Sequence, residues 1–319
     1  MFDVLAVTGP IYFVVAVGWA CTRAGLFERA DMRVFGKFVI NIALPALLFD
    51  AVAQRSVAEV LNPVFIAAYA IGSVAASLAG VFWARRIAGK GLSEAGIVGM
   101  GMSCPNSGFI GFPLVAQLFG PANAGIALAL AMLVENFVSL PLALAISDSA
   151  AGDAAASGGA RLRAALAQSL RSVARNPMIW GMAAGFVFSL AGWRLAEPVA
   201  RTVNLFAAAT GALSLFVIGG SLVGLQLRGL ARDVSVIAAG KLLLHPLCVL
   251  AAVLLLPPMA RELQIIVVVM AAVPMLGIYP ILAQKHGHEG VAAAAQLAAT
   301  IASFFTLTAL LLAVRQLFA

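Results

Sequence analysis

Glu135 and Asn136 stand side by side inside an apolar stretch, and Lys241 and His245 stand four residues apart inside another. An ionisable side chain in the middle of a membrane helix costs about 3 kcal/mol unless it is paired or hydrated. Such groups are kept for a task or for a partner. Glu135 can carry a proton if it faces a cavity, or serve a wet interface structurally. Lys241 and His245 share one helix face at i, i+4 spacing, and both can exchange a proton. Lys241 can pair with Glu135, attract an anion, or extend its ammonium to the membrane surface.

A second chemical feature is "MSCPNSGFIGFPL", from Met102 to Leu114. Pro105 removes a backbone donor and clashes with the preceding turn, and Gly108 tolerates an opened backbone. A half-helix beginning after Pro105 has free N–H groups and a positive dipole end. Asn106 and Ser107 either cap that end or extend it toward an anion, for which a carboxylate is well matched. Pro274 and Gly277 repeat the Pro-x-x-Gly spacing, with apolar Met275 and Leu276 between them. Anion binding is therefore expected to use side chains of the first break and mainly backbone of the second. Asn41 either lines the cavity or bonds between helices. Asp50, Asn204 and Gln296 are weaker candidates. His286 and His288 flank a loop and are expected to be solvated, and two histidines alone do not make a metal site.

The elements carrying these residues must lie in a membrane. Of 319 residues 63% are hydrophobic and 10% charged, against about 25% charged in a soluble domain. The net charge of +7 is spread between apolar runs rather than gathered in a block, so no nucleic-acid partner is expected. Cys21, Cys104 and Cys248 all fall in apolar runs, which argues against a disulfide framework. The first apolar run lacks a basic leader and a small-residue cleavage site, so it is expected to be a retained span.

A crossing needs about 20 mostly apolar residues, and ten stretches qualify. They are Val4–Thr22, Val34–Ala53, Pro63–Ala84, Ser93–Phe119, Gly125–Ser147, Pro177–Leu195, Val203–Leu227, Val234–Leu256, Leu263–Gln284 and Val291–Val314. Residues 148–176 form a linker of small residues followed by a basic, amphipathic stretch. Loops after odd-numbered spans carry fourteen Lys and Arg, and the opposite side carries five. The excess of positive charge marks the cytoplasmic side, so the linker is expected inside and both termini outside.

Five spans per half force the second half to enter from the opposite side, the plan of an inverted repeat. The halves align at a shift of 167 residues, which sets Pro10 on Pro177, Gly18 on Gly185 and Leu48–Phe49 on Leu215–Phe216. "FPLVAQLFG" (112–120) then falls on "YPILAQKHG" (279–287). The expected fold is an all-α integral membrane protein of ten transmembrane helices: a first repeat over 1–147, the linker, and a second repeat over 177–319. Broken helices in lipid are tolerated where protein or a wet cavity satisfies the freed backbone, and a matched pair of breaks is a pointer to a substrate site.

At "NIALPALLF" (41–49), "PNSGFIGFPL" (105–114) and "VPMLGIYPILAQKHG" (273–287) the chain resembles the auxin efflux carrier family. This is the group of bacterial permeases and plant PIN proteins within the bile acid/arsenite/riboflavin transporter superfamily. The resemblance implies a scaffold domain and a transport domain in which spans 4 and 9 cross at Pro105 and Pro274. It also implies a weak organic acid as substrate, with malonate or malate among those of bacterial members. The short linker departs from the long hydrophilic loops of the plant proteins.

The function expected is secondary transport of a small organic anion by alternating access. The substrate-binding candidates are Asn41, Pro105, Asn106, Ser107, Gly108, Pro274 and Gly277, and the coupling candidates are Glu135, Asn136, Lys241 and His245. The partners expected are the anion, a coupling H+ or Na+ and the lipid bilayer, with a homodimer as a candidate assembly. A sodium-coupled symporter of the bile-acid type and an anion channel are the alternatives. No enzyme is expected, since nucleotide-loop, GxSxG and HExxH motifs are absent from the sequence, and no metal or cofactor is expected either.

Overall fold

The computed structural model describes residues 2–53, 61–148, 171, 174–224 and 231–318. Helix dominates, and the single β-type pairing among the described residues joins Pro105 to Met275. In chain order the helices are α1 (Phe2–Arg23), α2 (Arg29–Ala53), α3 (Pro63–Ile87), α4 (Leu92–Ser103) and α5 (Ser107–Asp148). Then come α6 (Pro177–Ala191), α7 (Glu197–Ser221), α8 (Ala231–Leu255), α9 (Arg261–Ala272), α10 (Tyr279–Gln284) and α11 (Glu289–Phe318). Among the described residues six helices are long and apolar enough to cross a membrane: α2, α3, α5, α7, α8 and the Glu289–Ala313 part of α11. The molecule is a multi-pass membrane protein.

Local sequence sets the helix starts. Asn62 accepts a hydrogen bond from the Phe65 amide at 2.9 Å, and Pro63 is the first residue of α3. Asn176 does the same for the Met178 amide at 3.0 Å, with Pro177 opening α6. A side-chain cap followed by proline satisfies one orphan amide and omits another. Within the α5 run, Gly120 at φ 82° and ψ 158° is not helical, and Pro121 follows it. That conformation is essentially restricted to glycine, so the run is two helices joined at a kink.

Pro105 and Pro274 stop α4 and α9. Each preceding residue is extended, Cys104 at φ −102°, ψ 103° and Val273 at φ −68°, ψ 154°, as sterics demand before proline. Helix resumes at Ser107 and Tyr279. Both sequence-predicted breaks are therefore present.

Packing pairs helices from opposite halves of the chain: α1 lies along α7, α6 along α2, and α3 along α8. A Cβ added at Gly18 would stand 2.2 Å from the Phe216 carbonyl oxygen, and one at Gly185 would stand 2.9 Å from that of Phe49. Small residues that let backbones touch supply much of the packing where lipid is as apolar as leucine. A buried core of Leu44, Leu48, Phe65, Tyr69, Leu114, Leu128, Ile266 and Met270 joins α2, α3, α5 and α9. A second core of Met100, Cys104, Ile237, Met275 and Tyr279 wraps the breaks from the other side.

One expectation needs adjustment, and one falls mostly outside the described residues. His286 is half-buried rather than freely solvated, with Nδ1 3.2 Å from Ser93 Oγ and Nε2 3.5 Å from Asp148 Oδ1. Most of the 148–176 linker, including Arg161 and Arg163, lies outside the described residues.

Candidate functional site

The two breaks cross and bond to each other. The Asn106 amide donates to the Pro274 carbonyl at 2.8 Å, and the Leu276 amide donates to the Cys104 carbonyl at 3.0 Å. This reciprocal pair brackets the Pro105–Met275 bridge. It answers how the backbone freed by the prolines is satisfied in an apolar bundle. It also corrects one expectation, because the Asn106 amide is consumed by the crossing and is not free for an anion.

What remains open is specific. Asn106 is 5% exposed, and its Oδ1 caps the new half-helix by accepting from the Phe109 amide at 3.2 Å. Its Nδ2 donates to no described group and stands 3.7 Å from where a Gly277 Cβ would be. The Ser107 and Gly108 amides, at the first positions of the half-helix, have no hydrogen-bond partner among the described residues. Three N–H sources therefore converge on the helix end that favours negative charge. On the second break, the Gly277 carbonyl accepts from Gln296 Nε2 at 3.2 Å, so that weaker candidate touches the crossing.

Glu135 lies against this half-helix. Its Oε1 accepts from the Ser107 hydroxyl and, at 3.0 Å, from the Tyr69 hydroxyl. Oε2 has no partner among the described residues. The carboxyl sits where one turn of α5 is widened into a π-type turn over Glu135–Ser139, a distortion that often marks functional sites.

Lys241 is 0% exposed, so it does not reach the membrane surface. Its Nζ donates to the Ala271 carbonyl at 2.5 Å and lies 3.1 Å from His245 Nδ1. Ala271 is next to the last residue of α9, where carbonyls lack helical partners and the dipole end is negative. The ammonium thus caps the half-helix entering the second break. His245 Nε2 is 2.9 Å from Ser73 Oγ, and its ring lies 6.1 Å from that of Tyr69. Lys241 also occupies a π-type turn, Gly240–Leu244. No ion pair joins Lys241 to Glu135 among the described residues.

The structure therefore gathers Pro105, Asn106, Ser107, Gly108, Pro274, Gly277, Glu135, Lys241 and His245 around one crossing. Two candidates stand apart. Asn136 turns its amide back to the Met132 carbonyl at 2.8 Å. Asn41 is exposed and donates to the Lys37 carbonyl at 2.7 Å. Tyr69 and Ser73 are the residues that sequence reasoning passed over. They are themselves an i, i+4 polar pair in an apolar helix, the same signal that drew attention to Lys241 and His245.

A separate ion cluster ties helix starts away from the crossing. Lys90 bridges Glu94 in α4 and Asp233 in α8, the latter at 2.7 Å. Burial works against the Lys90 ammonium, yet the two carboxylates outweigh it and hold its pKa above the usual lysine value.

Two proline-broken helices cross inside an apolar bundle, with polar side chains gathered at the crossing, and the comparisons with known proteins make this a membrane transport protein rather than an enzyme. The chain belongs to the membrane transport protein family, the auxin efflux carrier or PIN-like group, whose model matches residues 4–312. Among its relatives is a protein of Rhizobium meliloti named "Putative malonate transporter", 26% identical over 322 residues, covering 99% of this chain and 97% of the relative. Another is "Uncharacterized transporter YfdV" of Escherichia coli, 23% identical over 267 residues, 83% of each chain. A third, named "Uncharacterized transporter", comes from Methanothermobacter thermautotrophicus and is 25% identical over 245 residues, 74% of each.

Proposed function

We propose that the protein is a secondary transporter of a small organic anion, a weak mono- or dicarboxylic acid, held at the crossing of the two breaks. The observation that carries this reading is the set of unpaired donors there: Asn106 Nδ2 and the Ser107 and Gly108 amides. They face the dipole end that favours a carboxylate. The Rhizobium relative's name points to malonate as the first candidate.

Ten crossings in two inverted repeats, 1–147 and 177–319, are the architecture that fits best. Helices overlap all ten apolar stretches. The Gly18–Phe216 and Gly185–Phe49 approaches are the same contact under the 167-residue shift. Such repeats support alternating access around a fixed midplane site. A proton is the coupling ion we favour over sodium. Carbonyls at a half-helix C-terminus are where a transporter holds Na+, and here Lys241 supplies the cation from the chain itself. Glu135, Lys241 and His245 are the groups assigned to the proton.

The test is uptake of labelled malonate by the purified protein in liposomes. We expect saturable, counterflow-competent uptake driven by an inward pH gradient and unaffected by replacing Na+ with K+. Uptake that never saturates would mean a channel. A requirement for Na+ would mean a sodium symporter.

A further inference from the structure

We infer that Ser107 links anion binding to the protonation of Glu135, because its hydroxyl bonds the carboxyl while its amide opens the half-helix end offered to the anion. The inference rests on the crossing being the anion site. It adds how that site senses protons and which residue transmits the effect.

Ser107 is the first residue of the half-helix. Its amide is one of the open donors, and its hydroxyl donates to Glu135 Oε1. An ionised Glu135 therefore places negative charge against the helix end that would receive the substrate carboxylate. Two like charges at one helix end repel, so binding of the anion and ionisation of the carboxyl oppose each other. Protonation at Oε2, which has no hydrogen-bond partner among the described residues, removes the charge while leaving Oε1 able to accept. The proton comes from bulk water and no bond other than O–H forms or breaks. The side chain of Asn106, buried with Nδ2 unpartnered, supplies a donor for the anion independent of this exchange.

The groups facing Glu135 are Tyr69 from α3, Cys104 and Ser107 from the first break, and Lys241 from α8. Among the described residues Tyr69 and Ser107 are its two hydrogen-bond donors, both on Oε1. Lys241 is the cation acting on it from a greater distance, and its ammonium is engaged by Ala271 and His245. A bound anion and a proton thus arrive together, one for one. Above the pH at which Glu135 ionises, affinity should fall about tenfold per pH unit, the slope of a single linked proton.

The donors also fix the sign of the mutant effects. A hydroxyl donating to a carboxylate favours its ionised form. Removing one makes ionisation harder, so binding persists to higher pH. The experiment is malonate titration of the purified full chain by calorimetry from pH 5 to 8, in two buffers of different ionisation enthalpy. Affinities and proton counts are expressed for the malonate dianion after subtracting malonate's own second ionisation, which falls in this range. Wild-type protein should take up one proton per malonate across the falling part of the curve. Glu135→Gln should bind with little pH dependence and no proton uptake. Ser107→Ala, which keeps the open amide but loses the hydroxyl on Glu135, should hold its affinity to a higher pH than wild type, with Ser107→Thr restoring the wild-type profile. Tyr69→Phe should shift the profile in the same direction. A merely structural role for Ser107 would lower affinity equally at every pH. That result, or a Glu135→Gln protein with the wild-type pH slope, overturns the inference while leaving the anion site standing. If folded wild-type protein binds neither malonate nor any other mono- or dicarboxylate tested at any pH, the functional reading fails and the linkage falls with it.

Discussion

Asn106 does two jobs with the two ends of one amide. Its oxygen caps the half-helix, and its nitrogen is left open beside Gly277. Asparagine to aspartate separates them, because the oxygen survives while the donor is replaced by a charged acceptor. We expect Asn106→Asp to keep the melting temperature near that of wild type but abolish malonate binding at pH 7. Asn106→Ala should lose both, about 1 kcal/mol from the cap and about 1–3 kcal/mol of binding from the unmatched donor. Thermal melts and titrations of the two variants decide. Met275 is a different case. Its side chain does not belong to the polar cluster, yet it is 1% exposed. Its truncation would leave a cavity and cost stability, which disqualifies it as a silent control.

At the scale of elements, the breaks are held open by each other and not by proline alone. Closing α4 into α5 would forfeit the two hydrogen bonds between the breaks, each worth about 1 kcal/mol net. The close helix pairs α1–α7 and α2–α6 carry a sharper prediction. Gly18→Ala sets a methyl 2.2 Å from a backbone oxygen and Gly185→Ala sets one at 2.9 Å. Backbone cannot yield as a side-chain tip can. Both should destabilise, Gly18→Ala more, within the range of about 1–3 kcal/mol for overpacking. Gly211, in α7 with nothing within 4 Å of an added Cβ, is the control. There alanine should be neutral or should stabilise by up to about 1 kcal/mol. Thermal unfolding of the three variants in one detergent gives the order. Equal melting of all three would refute the close-packing account.

For the whole molecule, the uneven distribution of Lys and Arg predicts which side each loop faces. A cysteine introduced at Ala156, outside the described residues, should react with an impermeant maleimide only from the cytoplasmic side in a background lacking Cys21, Cys104 and Cys248. Labelling from outside would reverse the topology. The ion cluster of Lys90, Glu94 and Asp233 belongs to the same scale, since it ties the starts of α4 and α8.

Much of this was legible in the residues. Apolar length fixed the membrane class, because so few charges cannot cover a soluble surface. Proline chemistry fixed both breaks, because the missing donor and the ring clash act locally, whatever surrounds them. Glycine and phenylalanine recurring at one shift pointed to a repeat, but not to the contacts those residues make across the two halves. Partners were another matter. A sequence gives a side chain its face on a helix, not the group that face meets. Only the tertiary structure decided that Lys241 caps α9 rather than reaching the surface, and that Asn41 and Asn136 turn back on their own helices. It alone brought Tyr69 to Glu135 and closed the Asn106 amide onto Pro274. Those choices depend on which helices from opposite halves come into contact, and that is set by the packing of the entire bundle.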